Sequence, residues 1–381
     1  MFSNWAVLPA GYGAADVMTM GILIGCGLAF CVALRARPLG DALGVIDKPD
    51  GARKLHAAAT PLVGGIGLFL ALLAGMTLQR AAFGHVTSAG AAIFLVSAVF
   101  FALGLMDDRR HINPWIRLAV GIIGAGLAAL MVPELRVGAL WFADLGLALP
   151  LGHAAVPFTV FCVLCLKHGA NLADGLNGLL LGMCAIWLVL LAPWLTPGTA
   201  VMLTPVAGAL AVLLAANLKG RLFTGDSGAY MMSSLVGLAA IEAYASQKGG
   251  MPALYLAACF LIPVLDMGRV MAMRIRNGTG AFTPGRDHLH HYLKDWTGGS
   301  NRAVAVYLAL CAIPALHTYL GVPVVLVMAL QMLAYLLVLG VNRARAPARA
   351  RAARRVEAPK PQAYGGGGFR RSPTPYQKNQ E

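Results

Sequence analysis

The sequence predicts an all-α integral membrane protein, a polytopic bundle of about eleven transmembrane helices, and three observations carry that expectation. Hydrophobic residues make up 58% of the 381-residue chain and charged residues only 12%, with a mean hydropathy of +0.70. Thirty Lys and Arg with sixteen Asp and Glu are too few to coat a water-soluble globule of this length. The 45 glycines suit helices that approach closely in lipid. A secreted, fibrous or wholly disordered chain is excluded by the same composition. All seven Cys lie inside apolar runs, so no disulfide is expected, and the Cys162/Cys165 spacing reads as helix filler.

Apolar runs fall at 17–34, 62–78, 89–106, 115–132, 150–166, 179–195, 199–216, 227–245, 253–273, 303–320 and 322–340. Each is about long enough to cross a hydrocarbon core, and short polar or Gly/Pro segments separate them. The fifth run is the weakest, because His153 and Pro157 lie in it and the 133–149 stretch before it alternates like a short hairpin. The first basic residue, Arg35, follows the first run, so no cleavable leader is expected and that span acts as its own topogenic signal.

With eleven spans, one side of the membrane carries Arg80, Arg136 and Lys248 and the other carries the remaining 27 of the 30 basic residues. The rich side is cytoplasmic by the positive-inside rule, which puts the N-terminus outside and the C-terminus inside. Without the ten basic residues after 341 the ratio is 17 to 3, and the orientation is unchanged. Residues 1–341 form the polytopic domain. Residues 342–381 read as a basic, Gly/Pro-rich, disordered cytoplasmic tail, a stop-transfer segment that can also touch anionic lipids.

The acids gather on the cytoplasmic side: Asp41, Asp47 and Asp50 in the first inside loop, then Asp107 and Asp108, Asp174, Asp226, and finally Asp287 and Asp295. A carrier spreads polar groups through the membrane interior, whereas polar groups at one surface favour an enzyme working there. The adjacent Asp107 and Asp108 at a helix end can hold a divalent cation or supply a base, and can equally form a solvated turn paired to arginines. Asn171, Asp174 and Asn177 recur every third residue, so a helical turn would put them on one face. Their oxygens suit Mg²⁺ or a nucleoside, against the alternative of an Asn/Gly turn. Asp226 precedes an apolar run, where it can cap a helix, bind metal, or do both. Arg286, His288, His290 and His291 lack the spacing of a zinc helix and read as donors to phosphate oxygens. The first inside loop adds Asp47, Arg53, Lys54 and His56. No phosphate-binding Gly-rich loop or dinucleotide fingerprint occurs, which leaves a magnesium-assisted reaction of a diphosphate beside lipid.

These blocks, from Asp47 through Arg53, Lys54 and His56, Pro61 and Gly64-Gly65, Asp107-Asp108, Asn171 to Gly178, Gly225-Asp226, Pro263 to Asp266, and Arg286 to His291, closely resemble the polyprenyl-phosphate N-acetylhexosamine-1-phosphate transferase family, of the undecaprenyl-phosphate GlcNAc-1-phosphate (glycosyltransferase 4) type. The resemblance implies transfer of a sugar 1-phosphate from a UDP-N-acetylhexosamine to undecaprenyl phosphate, with release of UMP, in a bacterial cytoplasmic membrane. The product would start a lipid-linked surface glycan. It also implies Mg²⁺, with Mn²⁺ as a substitute, held by Asp226 with Asn171 and Asp108. Asp107 and Asp108 would lie near the attacking lipid phosphate, Asp174 and Asn177 at the nucleotide or sugar, and Arg286 with the three histidines on the diphosphate. Asn177 stands where many bacterial members have Asp, and Pro284-Gly285 where a Pro-Asp pair is common. No nucleic-acid partner is expected, and a homodimer is left open. The rival reading is a transporter of an anionic metabolite or lipid, with the loop acids as gates.

Overall fold

The computed structural model describes residues 13–48, 59–142, 146–247, 250–278, 280 and 285–357. The chain divides into two units, Met1–Leu339 and Gly340–Glu381. The first is built from helices α1 (Ala14–Leu34), α2 (Ala36–Leu43), α3 (Gly64–Phe83), α4 (Ser88–Arg109), α5 (Pro114–Met131), α6 (Ala155–Ala173), α7 (Leu179–Leu191), α8 (Pro197–Leu218), α9 (Gly225–Ser246), α10 (Ala253–Arg276), α11 (Leu289–Thr297), α12 (Ser300–Ala312) and α13 (Ala315–Leu320). A last helix, α14 (Val324–Glu357), begins in this unit. Among the described residues, two short antiparallel pairs interrupt the helices: β1 (Ile46–Asp47) with β2 (Thr60–Pro61), and β3 (Ala139–Phe142) with β4 (Leu147–Pro150).

The protein is a polytopic membrane protein. Among the described residues, eight helical segments are long and apolar enough to cross a bilayer, namely α1, α3, α4, α5, Gly152–Ala173 (which includes α6), α8, α10 and the Val324–Asn342 part of α14. The other three apolar runs of the sequence take different forms. Pro193 ends the sixth run, so α7 stops at Leu191 and a single 3₁₀ turn follows. Pro314 splits the tenth into α12 and α13. The eighth run becomes α9, whose residues from Ser227 to Tyr244 are all buried. It carries Asp226, Ser233, Ser234 and Glu242, so it owes its place to protein packing rather than to lipid solubility.

Helix α9 is the central post, packed against α3, α4, α6 and α7. Small residues set the tightest contacts. A Cβ placed on Gly25 of α1 would overlap the carbonyl of Pro205 in α8, so these two backbones touch where any side chain would hold them apart. Ser233 and Ser234 return their hydroxyls to carbonyls of their own helix at 2.6 to 2.9 Å, which lets polar residues sit in the core. The alternating 133–149 stretch does form a hairpin, with Ala139 opposite Pro150 and Phe142 opposite Leu147. Tyr244 Oη ties it to α9 by accepting from Trp141 N and donating to Ala139 O.

In the second unit, the Ala/Arg-rich stretch that composition assigns to a disordered tail is helical as far as Glu357. Ala and Arg are strong helix formers, which composition-based disorder does not weigh. Residues 358–381 lie outside the described residues.

Candidate active site

Residues from several separate chain segments meet around the start of α9. Pro61 to Gly65 docks on the 223–228 turn through Phe223 N to Pro61 O, Gly64 N to Phe223 O and Gly65 N to Thr224 O, at 2.9 to 3.0 Å. Asp47 stands in the adjoining β1–β2 pair, opposite Thr60. Arg53, Lys54 and His56, with Asp50, lie outside the described residues.

The acidic pair closes α4, as its position at a helix end predicts, but its two members do different work. Asp108 Oδ1 accepts from Asp226 N at 2.7 Å and Oδ2 from Ser227 N at 3.0 Å. One helix therefore caps the N-terminus of another, a site where backbone N–H groups and the helix dipole favour an anion. Asp226 is not the cap: Thr224 occupies that position, and Asp226 sits in the first turn of α9 facing Tyr230, Arg117 and Lys167. Asp107 is only 3% exposed. Its Oδ1 accepts from Ile112 N, and its Oδ2 from Arg117 Nη1 and Tyr230 Oη, all at 2.7 Å.

The three-residue spacing of Asn171, Asp174 and Asn177 does not lie on one helical face. Helix α6 stops at Ala173, Asp174 leaves it with ψ 63, and Gly178 adopts φ +84 to start α7. Two glycines within four residues outweigh the helical period. Asn171 stays in the last turn of α6, Asp174 lines the turn, and Asn177 approaches Gly220 of the next connection. Asp174 keeps solvent access while protein surrounds it, so it lines a recess. Desolvation there, followed by the charges of Asp226 and Asp108, pushes its pKa up to about 7.

That shift has a stability consequence. An acid whose folded pKa is raised favours the fold fully below its ordinary value of 3.8, and the benefit is lost as pH rises toward 7. Chelator-treated protein is expected to lose melting temperature over this interval, and Asp174→Asn to lose less of it. Equal slopes in the two proteins would refute the assignment.

The histidines pack beside this turn. Asp266 of α10 organises them: its Oδ1 pairs with Arg269 Nη2 at 2.7 Å, and its Oδ2 meets His288 Nδ1 and Leu289 N at 3.0 Å each. Asp266 and Arg269, three residues apart on α10, thus form an ion pair, and the second oxygen of Asp266 anchors the start of α11. His290 packs against the 171–178 turn so closely that a Cβ on Gly175 would overlap its Nε2. Burial, then His291 and His288, brings the pKa of His290 down to about 3, so it is a neutral imidazole near pH 7. Burial and Arg286 lower that of His291 as well. Of the four residues read as a cationic grip, Arg286 is the exposed one.

Comparison with known proteins fits this arrangement of loops. Residues 91–244, which span α4 to α9, match the model for glycosyl transferase family 4. The chain is 30% identical over 327 residues to the undecaprenyl-phosphate alpha-N-acetylglucosaminyl 1-phosphate transferase of Yersinia pestis, covering 79% of this chain and 85% of that protein. It belongs to the polyprenyl-phosphate N-acetylhexosamine-1-phosphate transferase family. The Salmonella typhimurium protein of the same name is 28% identical over 73% of the chain and 76% of its own length. The decaprenyl-phosphate N-acetylglucosaminephosphotransferase of Mycobacterium tuberculosis is 27% identical over 72% of the chain and 74% of its own length. The chain is therefore a sugar-1-phosphate transferase by class, and the acids expected to gate a transporter belong to an enzyme.

Three residues of this candidate site were not among those the sequence singled out. Arg117, Lys167 and Tyr230 lie against Asp107 and Asp226. Two of them are basic residues at the edges of apolar runs, a placement that signals function as well as orientation.

Proposed function

We propose that the protein transfers N-acetylglucosamine 1-phosphate from UDP-N-acetylglucosamine to undecaprenyl phosphate at the cytoplasmic face of a bacterial inner membrane, releasing UMP and starting a lipid-linked surface glycan. The family relationship supports the reaction class, and the names of the relatives favour this sugar and a prenyl phosphate. The observation that carries the reading is that Asp108 at the end of α4, Asp174 in the turn after α6 and Asp226 in the first turn of α9 lie within electrostatic range of one another. With eleven spans, the charge ratio of the loops supports an N-terminus outside and a C-terminus inside, an orientation in which this site faces the compartment where nucleotide sugars are made.

A phosphate oxygen of the lipid attacks the phosphorus that bears the sugar. One P–O bond forms, the bond to the uridylyl phosphate breaks, and UMP leaves with its charge. The attacking oxygen is already ionised at neutral pH, so no general base is required. Asp107, with three protein donors on its carboxylate, suits the positioning of Arg117 and Tyr230.

The donor set fits Mg²⁺. Among the described residues no three His, Cys, Asp or Glu side chains converge as a cage. Mg²⁺ needs only one or two carboxylates, completed by substrate phosphates and water, and Mn²⁺ accepts the same oxygens. Asp226 would hold it, with Asn171 and Asp108. Bound there, the ion would screen the repulsion between the two phosphates and stabilise charge on the departing UMP. Purified protein is expected to release UMP from UDP-N-acetylglucosamine only with both a polyprenyl phosphate and a divalent cation present. Absence of UMP with every UDP-hexosamine tried would overturn the reading.

A further inference from the structure

Among the described residues, several cations near the acids of this site already have partners. Arg117 is held by Asp107 and Tyr230, and Arg269 by Asp266 and Tyr335. His288 meets Asp266. Lys167 differs. It stands on α6 one turn before Asn171, with 1% of its surface exposed. Its ammonium rests on ring faces, 4.4 Å from the centroid of Tyr230 and 5.2 Å from that of Phe100. Among the described residues no carboxylate comes within ion-pair distance of it, although Asp226 and Asp107 lie within electrostatic range.

Ring faces satisfy part of a buried ammonium's charge but none of its three N–H donors. Leaving such a group without acceptors is costly, and a ligand that brings oxygens relieves the cost. Both substrates of the proposed reaction bring phosphate oxygens to the neighbouring acids, and a lysine on a flexible four-carbon stem reaches them as a point charge. We propose that Lys167 is a phosphate anchor inside the pocket, swinging from the Tyr230 and Phe100 rings to an oxyanion of the bound substrate. The ring stack is then its resting place in the empty enzyme, and Tyr230 couples it to Asp107 through the phenol hydroxyl.

The inference rests on the transferase reading, and the test separates the two. Wild-type protein, Lys167→Met and Lys167→Arg are compared for KM toward UDP-N-acetylglucosamine, KM toward polyprenyl phosphate, and the rise in melting temperature produced by UMP in detergent. Methionine fills the slot between the two rings with a similar length and favourable sulfur–aromatic contact, so the ligand-free melting temperature is expected to hold. Loss of a charge-assisted phosphate contact is expected to weaken one substrate by about tenfold to a hundredfold. A raised KM for the nucleotide sugar, with a diminished UMP shift, assigns the anchor to the donor diphosphate. A raised KM for the lipid alone, with the UMP shift intact, assigns it to the acceptor. Lys167→Arg should retain most of the affinity in either case, and Lys167→Gln, which removes the charge, should report the same split if the methionine variant does not fold. An active wild type with both KM values and the UMP shift unchanged in the variants would overturn the proposal. An inactive wild type would instead count against the transferase reading, while the UMP shift would still test the anchor.

Discussion

Asp226→Ala is expected to cut UMP release by about a thousandfold, as loss of a group that stabilises transition-state charge does. The same variant should fold normally. Asp226 contributes its backbone N–H to the Asp108 cap, and alanine keeps that N–H in a helix-favouring residue. Its carboxylate is the one that faces Tyr230, Arg117 and Lys167 at the start of α9, and it holds no helix end in place. Turnover by the purified variant, measured beside its melting temperature, checks both halves. Near-normal turnover would remove Asp226 from the metal and transfer site.

Asp107→Ala is expected to act in the opposite way, through stability first. It takes away the one carboxylate on which the Arg117 guanidinium, the Tyr230 hydroxyl and Ile112 N converge, and leaves Arg117 its hydrogen bond to Tyr230 but no paired charge. Removing one partner of a buried ion pair costs roughly 3 kcal/mol, since the other charge stays desolvated. Arg117 keeps 25% of its side-chain surface exposed, so the loss belongs at the lower end of the usual range. Tyr230→Phe, which leaves the pair intact, should cost only about 1 kcal/mol. The double variant Asp107→Leu with Arg117→Met should recover part of the loss, because neither charge is then left alone. Melts of the single and double variants measure this directly, and strictly additive losses would show that the pair is not coupled.

The sequence carried much of the architecture because lipid simplifies the code. Eight of the eleven apolar runs are helices long enough to cross a bilayer among the described residues, and the alternation at 133–149 marked the hairpin that the structure contains. What it could not carry were contacts made across the fold. Asp108 as the cap of α9 joins residues 118 positions apart, and nothing local in the Asp-Asp pair indicates that partner. The 171–178 segment misled by its period: the spacing of Asn171, Asp174 and Asn177 suits a helix, yet Gly175 and Gly178 end one helix and begin another. Lys167 and Arg117 were visible as charges but were spent on counting orientation. Tyr230 gave no signal at all, since an aromatic residue in an apolar run is the ordinary case. The histidines were legible as a cluster, whereas their burial and the neutrality of His290 follow from packing on Asp266 and Gly175.

The most direct measurement follows the fate of one phosphorus atom. Membranes or purified protein are supplied with UDP-N-acetylglucosamine labelled at the sugar-linked phosphate, together with undecaprenyl phosphate. The account predicts that the label moves into the lipid product while the nucleotide leaves as unlabelled UMP. Label retained in released UDP, or carried intact across a vesicle membrane, would contradict it.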